Sequence, residues 1–103
     1  MKSGFIHEKH QLLKQCEAVA SLLKQLSHPE RLAILCHLSD SERTVSELES
    51  LCKSSQSQVS QFLTRMKAER LVAQRREGKF VYYRITDSSV SQLIQALQKV
   101  FCK

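Results

Sequence analysis

The sequence predicts a mainly α-helical domain with one small β-hairpin, for three reasons. Apolar residues recur at helical spacing in several segments, as in the stripe of Val59, Phe62, Leu63 and Met66. A later segment, "LVAQRREGKFVYYRIT", is instead rich in β-branched and aromatic residues and is interrupted at Gly78. This pattern indicates two short strands joined by a turn. The chain has only two glycines and one proline, so nothing in it indicates a linker between domains.

The length and charge of the chain bound its function class. Its 103 residues are expected to form one domain, 1–103, and 16 basic against 10 acidic residues give a formal charge of +6. A positive charge favours acidic partners such as nucleic acid. No apolar run reaches the length of a membrane span, and the N-terminus "MKSGFIHEKH" lacks a secretion signal. We therefore expect a cytoplasmic protein that does not associate with membranes.

Three helix starts are predicted by the capping boxes "SHPE", "TVSE" and "SQSQ", which begin at Ser27, Thr44 and Ser55. In such a box the hydroxyl accepts a hydrogen bond from a free amide, and the Glu or Gln three residues later reaches back. Together with the apolar stripes, they predict four helices, the hairpin and a last helix. No glycine-rich phosphate loop or nucleophile elbow occurs, so no enzymatic activity is predicted.

Residues 44–69 have the spacing of a helix-turn-helix, a short helix and a longer one separated by a polar break. Such a helix alone could simply be solvated on its polar face. The basic hairpin that follows, 71–86, favours DNA binding because a helix-turn-helix followed by a wing is a DNA-reading module. The residues predicted to contact DNA are Ser55, Gln56, Ser57, Ser60, Gln61, Thr64 and Arg65, with Arg76 and Lys79 on the wing.

The segments "LSHPERLAILCHL", "SQSQVSQFLTRMKAERLV" and "RREGKFVYYRI" resemble the ArsR/SmtB family of bacterial winged-helix repressors. The resemblance covers about Leu22 to Phe101. It implies a homodimer built on the first and last helices, 1–26 and 87–103, which binds an inverted-repeat operator and releases it when an inducer acts. One departure lies in the turn before the recognition helix, where Lys53 and Ser54 replace a usual glycine and leucine.

The metal sites of this family are not matched. Residues 44–46 lack both cysteines of the family's thiolate site, and only Asp87 remains of the site on the last helix. One carboxylate does not hold zinc, so no cofactor is predicted. His7 and His10 could begin a zinc site completed by Cys16 or a partner chain, and a metal-responsive repressor is therefore the alternative. Otherwise these histidines belong to a solvated N-terminus.

The chain has four cysteines, of which Cys52 is predicted to lie in the core and Cys16 in the core or the dimer interface. Composition alone would also make Cys36 and Cys102 buried apolar residues. However, "AILCHL" and "VFCK" resemble the cysteine positions of the family's dithiol branch, which senses persulfides, polysulfides and oxidants. The resemblance implies that oxidation joins Cys36 to Cys102 within one protomer and weakens DNA binding. The bridge could be a disulfide or contain inserted sulfur, and the inducer could be a persulfide or a peroxide. A constitutive DNA-binding regulator without a ligand is a further alternative.

Overall fold

A computed structural model describes residues 9–102. Within them, helices and strands follow in the order α1 (Lys9–Leu26), α2 (Pro29–Leu38), β1 (Arg43–Thr44), α3 (Val45–Cys52), α4 (Gln56–Ala68), β2 (Val72–Glu77), β3 (Phe80–Ile85) and α5 (Ser88–Phe101). The predicted fold class, mainly helical with a small hairpin, is confirmed. The strand β1 was not predicted. No helix within residues 9–102 is long and apolar enough to cross a membrane.

The sheet has three antiparallel strands in the order β1-β3-β2. The hairpin of β2 and β3 pairs Val72 with Ile85 at its base and turns at Gly78, whose φ of 62° suits glycine. The strand β1 adds the pair of Arg43 with Tyr83 on the other side of β3. Because β1 is two residues long, it leaves no alternating pattern in the sequence.

Two of the three predicted helix starts are confirmed. Thr44 and Ser55 are the N-caps of α3 and α4, and each forms a complete capping box. The prediction at Ser27 is wrong, since α2 begins at Pro29 and its N-cap is His28, whose Nδ1 accepts from the amide of Glu30 at 3.2 Å. Proline favours the first helical position, where no amide hydrogen is needed. The cap therefore falls on residue 28, one residue after the serine.

The core lies where α2, α3 and α4 pack against the base of the sheet and one face of α5. Helix α1 contributes only its last residue, Leu26, to the buried set. Helix α5 buries only one face, because Val90 and Ile94 are buried while Phe101 is 77% exposed. The buried apolar residues are Leu26, Ile34, Leu35, Leu38, Leu48, Val59, Leu63, Met66, Leu71, Val72, Ile85, Val90 and Ile94.

Candidate functional site

The outward face of α4 carries most of the residues predicted to contact DNA. The helix buries Val59, Leu63 and Met66 against the core, so its polar side chains point away from the protein. A groove of about 870 Å³ runs along this face. Its lining consists of Ser57, Ser60, Gln61, Phe62, Thr64, Arg65 and Ala68. Five of the nine predicted DNA contacts therefore lie together on one surface.

Two further predicted contacts, Ser55 and Gln56, lie at the start of α4 and are exposed. The Ser55 hydroxyl oxygen accepts from the Gln58 amide at 3.1 Å, which satisfies one of the free amides of the first turn. Helix α4 thus begins at the exposed surface with its amide end, where the helix dipole favours an anion. A phosphate would suit this end of the helix.

Contacts with α2 and a strained turn hold α4 in place. Arg31, 8% exposed, forms an ion pair with Glu69, the C-cap of α4. At the same end of α2, the ring of the N-cap His28 packs on Phe62 of α4 with 5.0 Å between the ring centroids. Lys53 occupies the turn between α3 and α4 with a φ of 53°, a left-handed conformation that explains why glycine suits this position.

The wing presents Arg76 and Lys79, both exposed, near its tip. The adjacent Arg75 is engaged elsewhere: its guanidinium bonds the Glu42 carboxylate at 2.9 Å and Glu77 at 2.7 Å, and it stacks 4.6 Å from the Tyr82 ring. The hydrogen bond from Arg75 lowers the pKa of Glu42 and, reciprocally, raises the pKa of Arg75. Two adjacent arginines therefore have different electrostatic surroundings, since the charge of Arg75 is balanced within the protein.

Cys36 and Cys102 are each hydrogen-bonded to Gln98, at the contact between α2 and α5. Cys36 is half-buried in α2, and Cys102 is exposed as the C-cap of α5. Gln98 connects them: its side-chain Nε2 donates to the Cys36 carbonyl at 3.2 Å, and its own carbonyl accepts from the Cys102 amide at 2.8 Å. Both thiols are free. The two predicted redox residues are therefore attached, through one glutamine, to the same contact.

The other two cysteines differ from these. Cys16 is exposed on α1, so the prediction that it lies in the core is wrong, while an interface between copies stays open. Cys52 is half-buried against the core at the end of α3. Burial, with smaller contributions from the charges of Cys36 and Glu30, raises the pKa of Cys52. A raised pKa keeps Cys52 in the less reactive thiol form at neutral pH.

The end of α2 that carries Cys36 is also connected to the wing. Arg43 donates from Nε to the His37 carbonyl at 2.9 Å, and Arg43 belongs to β1, which pairs with β3. Gln95 of α5 donates to the Ser39 carbonyl at 2.9 Å. Sequence reasoning missed all of these contacts, because no local pattern marks a side chain that bonds a distant carbonyl.

The alternative metal site cannot be assembled from the described residues. Among residues 9–102, no three His, Cys, Asp or Glu side chains lie close enough together to hold a metal ion. His7 lies outside the described residues, and His10 lies near the start of α1. Asp87 serves as the N-cap of α5, where its carboxylate accepts from the Ser89 amide at 2.9 Å.

Comparison with known proteins finds similar bacterial transcription regulators. The profile described as "Bacterial regulatory protein, arsR family" matches residues 28–74. The biofilm growth-associated repressor of Xylella fastidiosa is 40% identical, over 86% of this chain and 78% of the relative. The transcriptional regulator YgaV of Escherichia coli is 41% identical, over 92% of this chain and 97% of the relative. The proteins of this family are DNA-binding transcription regulators rather than enzymes.

Solved structures share the fold. The repressor BigR from Xylella fastidiosa aligns with a TM-score of 0.83 and 38% identity, covering 92% of this chain and 94% of that one. A structure described as reduced HlyU from Vibrio cholerae aligns at 0.85 and 34% identity, over 92% and 100%. A homodimeric winged helix-turn-helix domain from Mycobacterium bovis aligns at 0.71 and 30% identity, over 92% and 88%.

Proposed function

Since the chain belongs to the arsR family of bacterial regulatory proteins, we propose that it is a cytoplasmic transcriptional repressor controlled by a dithiol. In the reduced state it binds an inverted-repeat DNA operator as a homodimer. Reaction of Cys36 and Cys102 with an oxidant or a reactive sulfur species joins them, and the operator is released. The observation that supports this proposal is that Gln98 bonds the Cys36 carbonyl with its side chain and the Cys102 amide with its own carbonyl.

The exposed face of α4 and the wing tip supply the proposed DNA surface. The groove residues Ser57, Gln61 and Thr64 have the short polar side chains that suit base edges in the major groove. Arg65, Arg76 and Lys79 would lie against the phosphate backbone, because their charges are exposed. Binding of this kind weakens with salt as counterions are released.

The proposed dimer explains apolar side chains that the single chain leaves exposed on α1 and α5. Leu13 is 59% exposed, Leu23 48% and Val100 59%, in addition to Phe101. Exposed apolar groups on two terminal helices favour burial against a second copy. The homodimeric Mycobacterium bovis neighbour supports the same arrangement. Two symmetric copies would place two α4 helices against the two halves of an inverted repeat.

The proposed reaction begins at Cys102, which is the more exposed of the two thiols. Its thiolate attacks a sulfur of a polysulfide, so that one S–S bond forms, another breaks and a sulfide-type anion leaves. The Cys36 thiolate then attacks the adduct and displaces the remaining anion, leaving a disulfide or a bridge with retained sulfur. With hydrogen peroxide, the first step gives a sulfenic acid and hydroxide, and the second step releases a second hydroxide.

A bridge between Cys36 and Cys102 could affect the DNA surface through the C-terminal end of α2. That helix end is bonded to β1 by Arg43, and β1 pairs with a strand of the wing. Because α5 also carries part of the proposed dimer surface, a change in its position against α2 would alter the spacing of the two α4 helices. Release then follows if the bridged dimer fits the operator less well than the reduced dimer does.

The test begins by selecting the operator from a random duplex library with the reduced protein. Operator affinity is then measured by fluorescence anisotropy before and after treatment with sodium tetrasulfide, and intact mass reports the bridge.

The wild-type protein should lose affinity on bridging. Cys36→Ser should keep its affinity, whereas the control Cys52→Ser should respond like the wild type. Equal affinities of the reduced and bridged wild-type protein would refute the thiol switch. Release by Zn²⁺ instead would favour the metal-responsive alternative.

A further inference from the structure

The C-terminal carbonyls of α2 form a small cluster of hydrogen-bond acceptors, which we call the α2 carbonyl cluster: the carbonyl groups of Cys36, His37 and Ser39. The last carbonyls of a helix have no partner within it and must bond elsewhere. Here the Cys36 carbonyl accepts from the Ser39 hydroxyl at 2.9 Å and the Ser39 amide at 3.3 Å, as well as from Gln98. The sulfur-bearing residue itself is thus the most heavily bonded of the three.

Two glutamines of α5 reach this cluster in register. Gln98 bonds the carbonyl of Cys36, and Gln95 bonds the carbonyl of Ser39. From the first bond to the second, the residue number falls by three along α5 and rises by three along α2 and its C-cap. The two helices therefore run antiparallel at this contact. Two bonds separated by nearly one helical turn fix both the sliding and the rotation of α5 against α2. A single bond would leave one of these motions free.

The position of Cys102 follows from the same bonds. Its amide donates to the Gln98 carbonyl at 2.8 Å, so it lies one helical turn beyond Gln98 on the same side of α5. The Cys36 side chain, like every helical side chain, tilts toward the N-terminus of its own helix. In an antiparallel pair that tilt is toward the C-terminal end of α5, which is where Cys102 lies.

We propose that Gln98 is a positioning residue for the dithiol: it holds Cys102 within reach of Cys36, while Gln95 sets the register. This role rests on the proposed thiol function and concerns its second step, the attack of the Cys36 thiolate on the adduct at Cys102. Gln98 does not touch the reacting sulfur atoms of the inducer. It acts by raising the fraction of time in which the second thiol faces the adduct formed on the first.

Removal of Gln98 should therefore slow one step and spare the other. The dimeric protein is treated with sodium tetrasulfide and quenched with iodoacetamide at timed intervals, and intact mass separates adduct from bridged protein. In Gln98→Ala the conversion of adduct to bridge should be about fivefold slower, which corresponds to the loss of one hydrogen bond. The first modification of Cys102, measured in a Cys36→Ser background, should keep its wild-type rate.

Other glutamine variants test whether the hydrogen bond itself matters. Gln98→Glu preserves the length of the side chain but cannot donate to the Cys36 carbonyl when ionised, so it should slow bridging at least as much as alanine does. Gln92→Ala is the matched control, since Gln92 lies exposed on the same helix, and it should bridge at the wild-type rate. Gln95→Ala, also at an exposed position, should slow bridging by about twofold. It carries the test if Gln98→Ala does not fold.

The outcomes separate the two proposals. Wild-type protein that forms no bridge, or whose bridge leaves operator affinity unchanged, refutes the proposed function. Wild-type protein that bridges and releases DNA, while Gln98→Ala bridges as fast or faster, overturns the positioning role alone. A parallel slowing of both steps in Gln98→Ala would also overturn it, because that result indicates a general structural change.

Discussion

The exposed face of α4 and the contact between α2 and α5 are built in opposite ways. The α4 face belongs to one helix, and all residues that line its groove lie within 57–68. The α2–α5 contact joins groups that are 56 and 62 residues apart in the chain. A helix face needs only the correct periodicity, whereas a contact between helices needs the whole core to hold them in register. The candidate DNA surface is therefore local, and the candidate sensing site is not.

The two regions also differ in what their side chains bond. On α4, the side chains of Ser57, Gln61 and Thr64 are exposed to solvent, where a ligand can reach them. Gln95 and Gln98 of α5 instead donate to the backbone carbonyls of Ser39 and Cys36. Substitutions on α4 should change binding with little effect on folding, while substitutions that disturb the packing of the helices should change folding first.

The largest expected effect is a loss of stability. It tests how far the exposed face of α4 depends on the tertiary structure around it. Glu69→Ala removes the partner of the buried Arg31 and should lower the free energy of unfolding by about 2 kcal/mol, because a charged group loses its hydrogen bond. Urea denaturation measures this change, with Glu17→Ala on the exposed side of α1 as the control. If the folded variant still discriminates its operator, the α4 face is local as inferred. A loss of stability no greater than that of Glu17→Ala would contradict the role of the ion pair.

A smaller effect is expected on DNA discrimination from Gln61→Ala. If Gln61 makes a bidentate contact to a base, its loss should cost about 1.5 kcal/mol of preference for the operator over a variant changed at that base. Competition anisotropy measures the preference, and stability should stay unchanged because Gln61 is exposed. The same substitution at Gln92 should leave discrimination intact. Unchanged discrimination in Gln61→Ala would show that α4 reads DNA with another face.

The two adjacent arginines of the wing provide a matched comparison. Arg76→Ala should reduce the slope of log affinity against log salt by about 0.9, the value expected for one phosphate contact, and should weaken all sequences alike. Arg75→Ala should change the slope less, because Glu42 and Glu77 already balance its charge. Equal changes of slope in both variants would mean that DNA displaces the carboxylates from Arg75.

The smallest effect concerns the pH dependence of stability. Arg75 lowers the pKa of Glu42, so the pair stabilises the folded state above the ordinary glutamate pKa of about 4.3 and loses that contribution as pH falls through the lowered value. Unfolding free energies of wild type and Glu42→Gln should therefore differ near neutral pH and converge in acid. A difference that stays constant over that range would exclude the ion pair as its cause.

Local signals explain the elements that could be predicted from the sequence. Thr44 and Ser55 mark helix starts because each bonds an amide three residues away. The same reasoning failed at Ser27, where Pro29 moved the helix start by one residue. The two-residue strand β1 escaped prediction because its conformation depends on pairing with β3. The nine predicted DNA contacts and the role of the dithiol stay predictions.

The amino-acid sequence alone determined the periodicity of α4, the basic turn at Gly78 and the separation of 66 residues between the cysteines at positions 36 and 102. Each depends on residues close in the chain or on a resemblance to a family. Only the tertiary structure decided that Arg75 is neutralised by Glu42 and that Gln98 connects Cys36 to Cys102. The physical reason is that these bonds join side chains to groups brought near by packing, and packing depends on all the core residues at once.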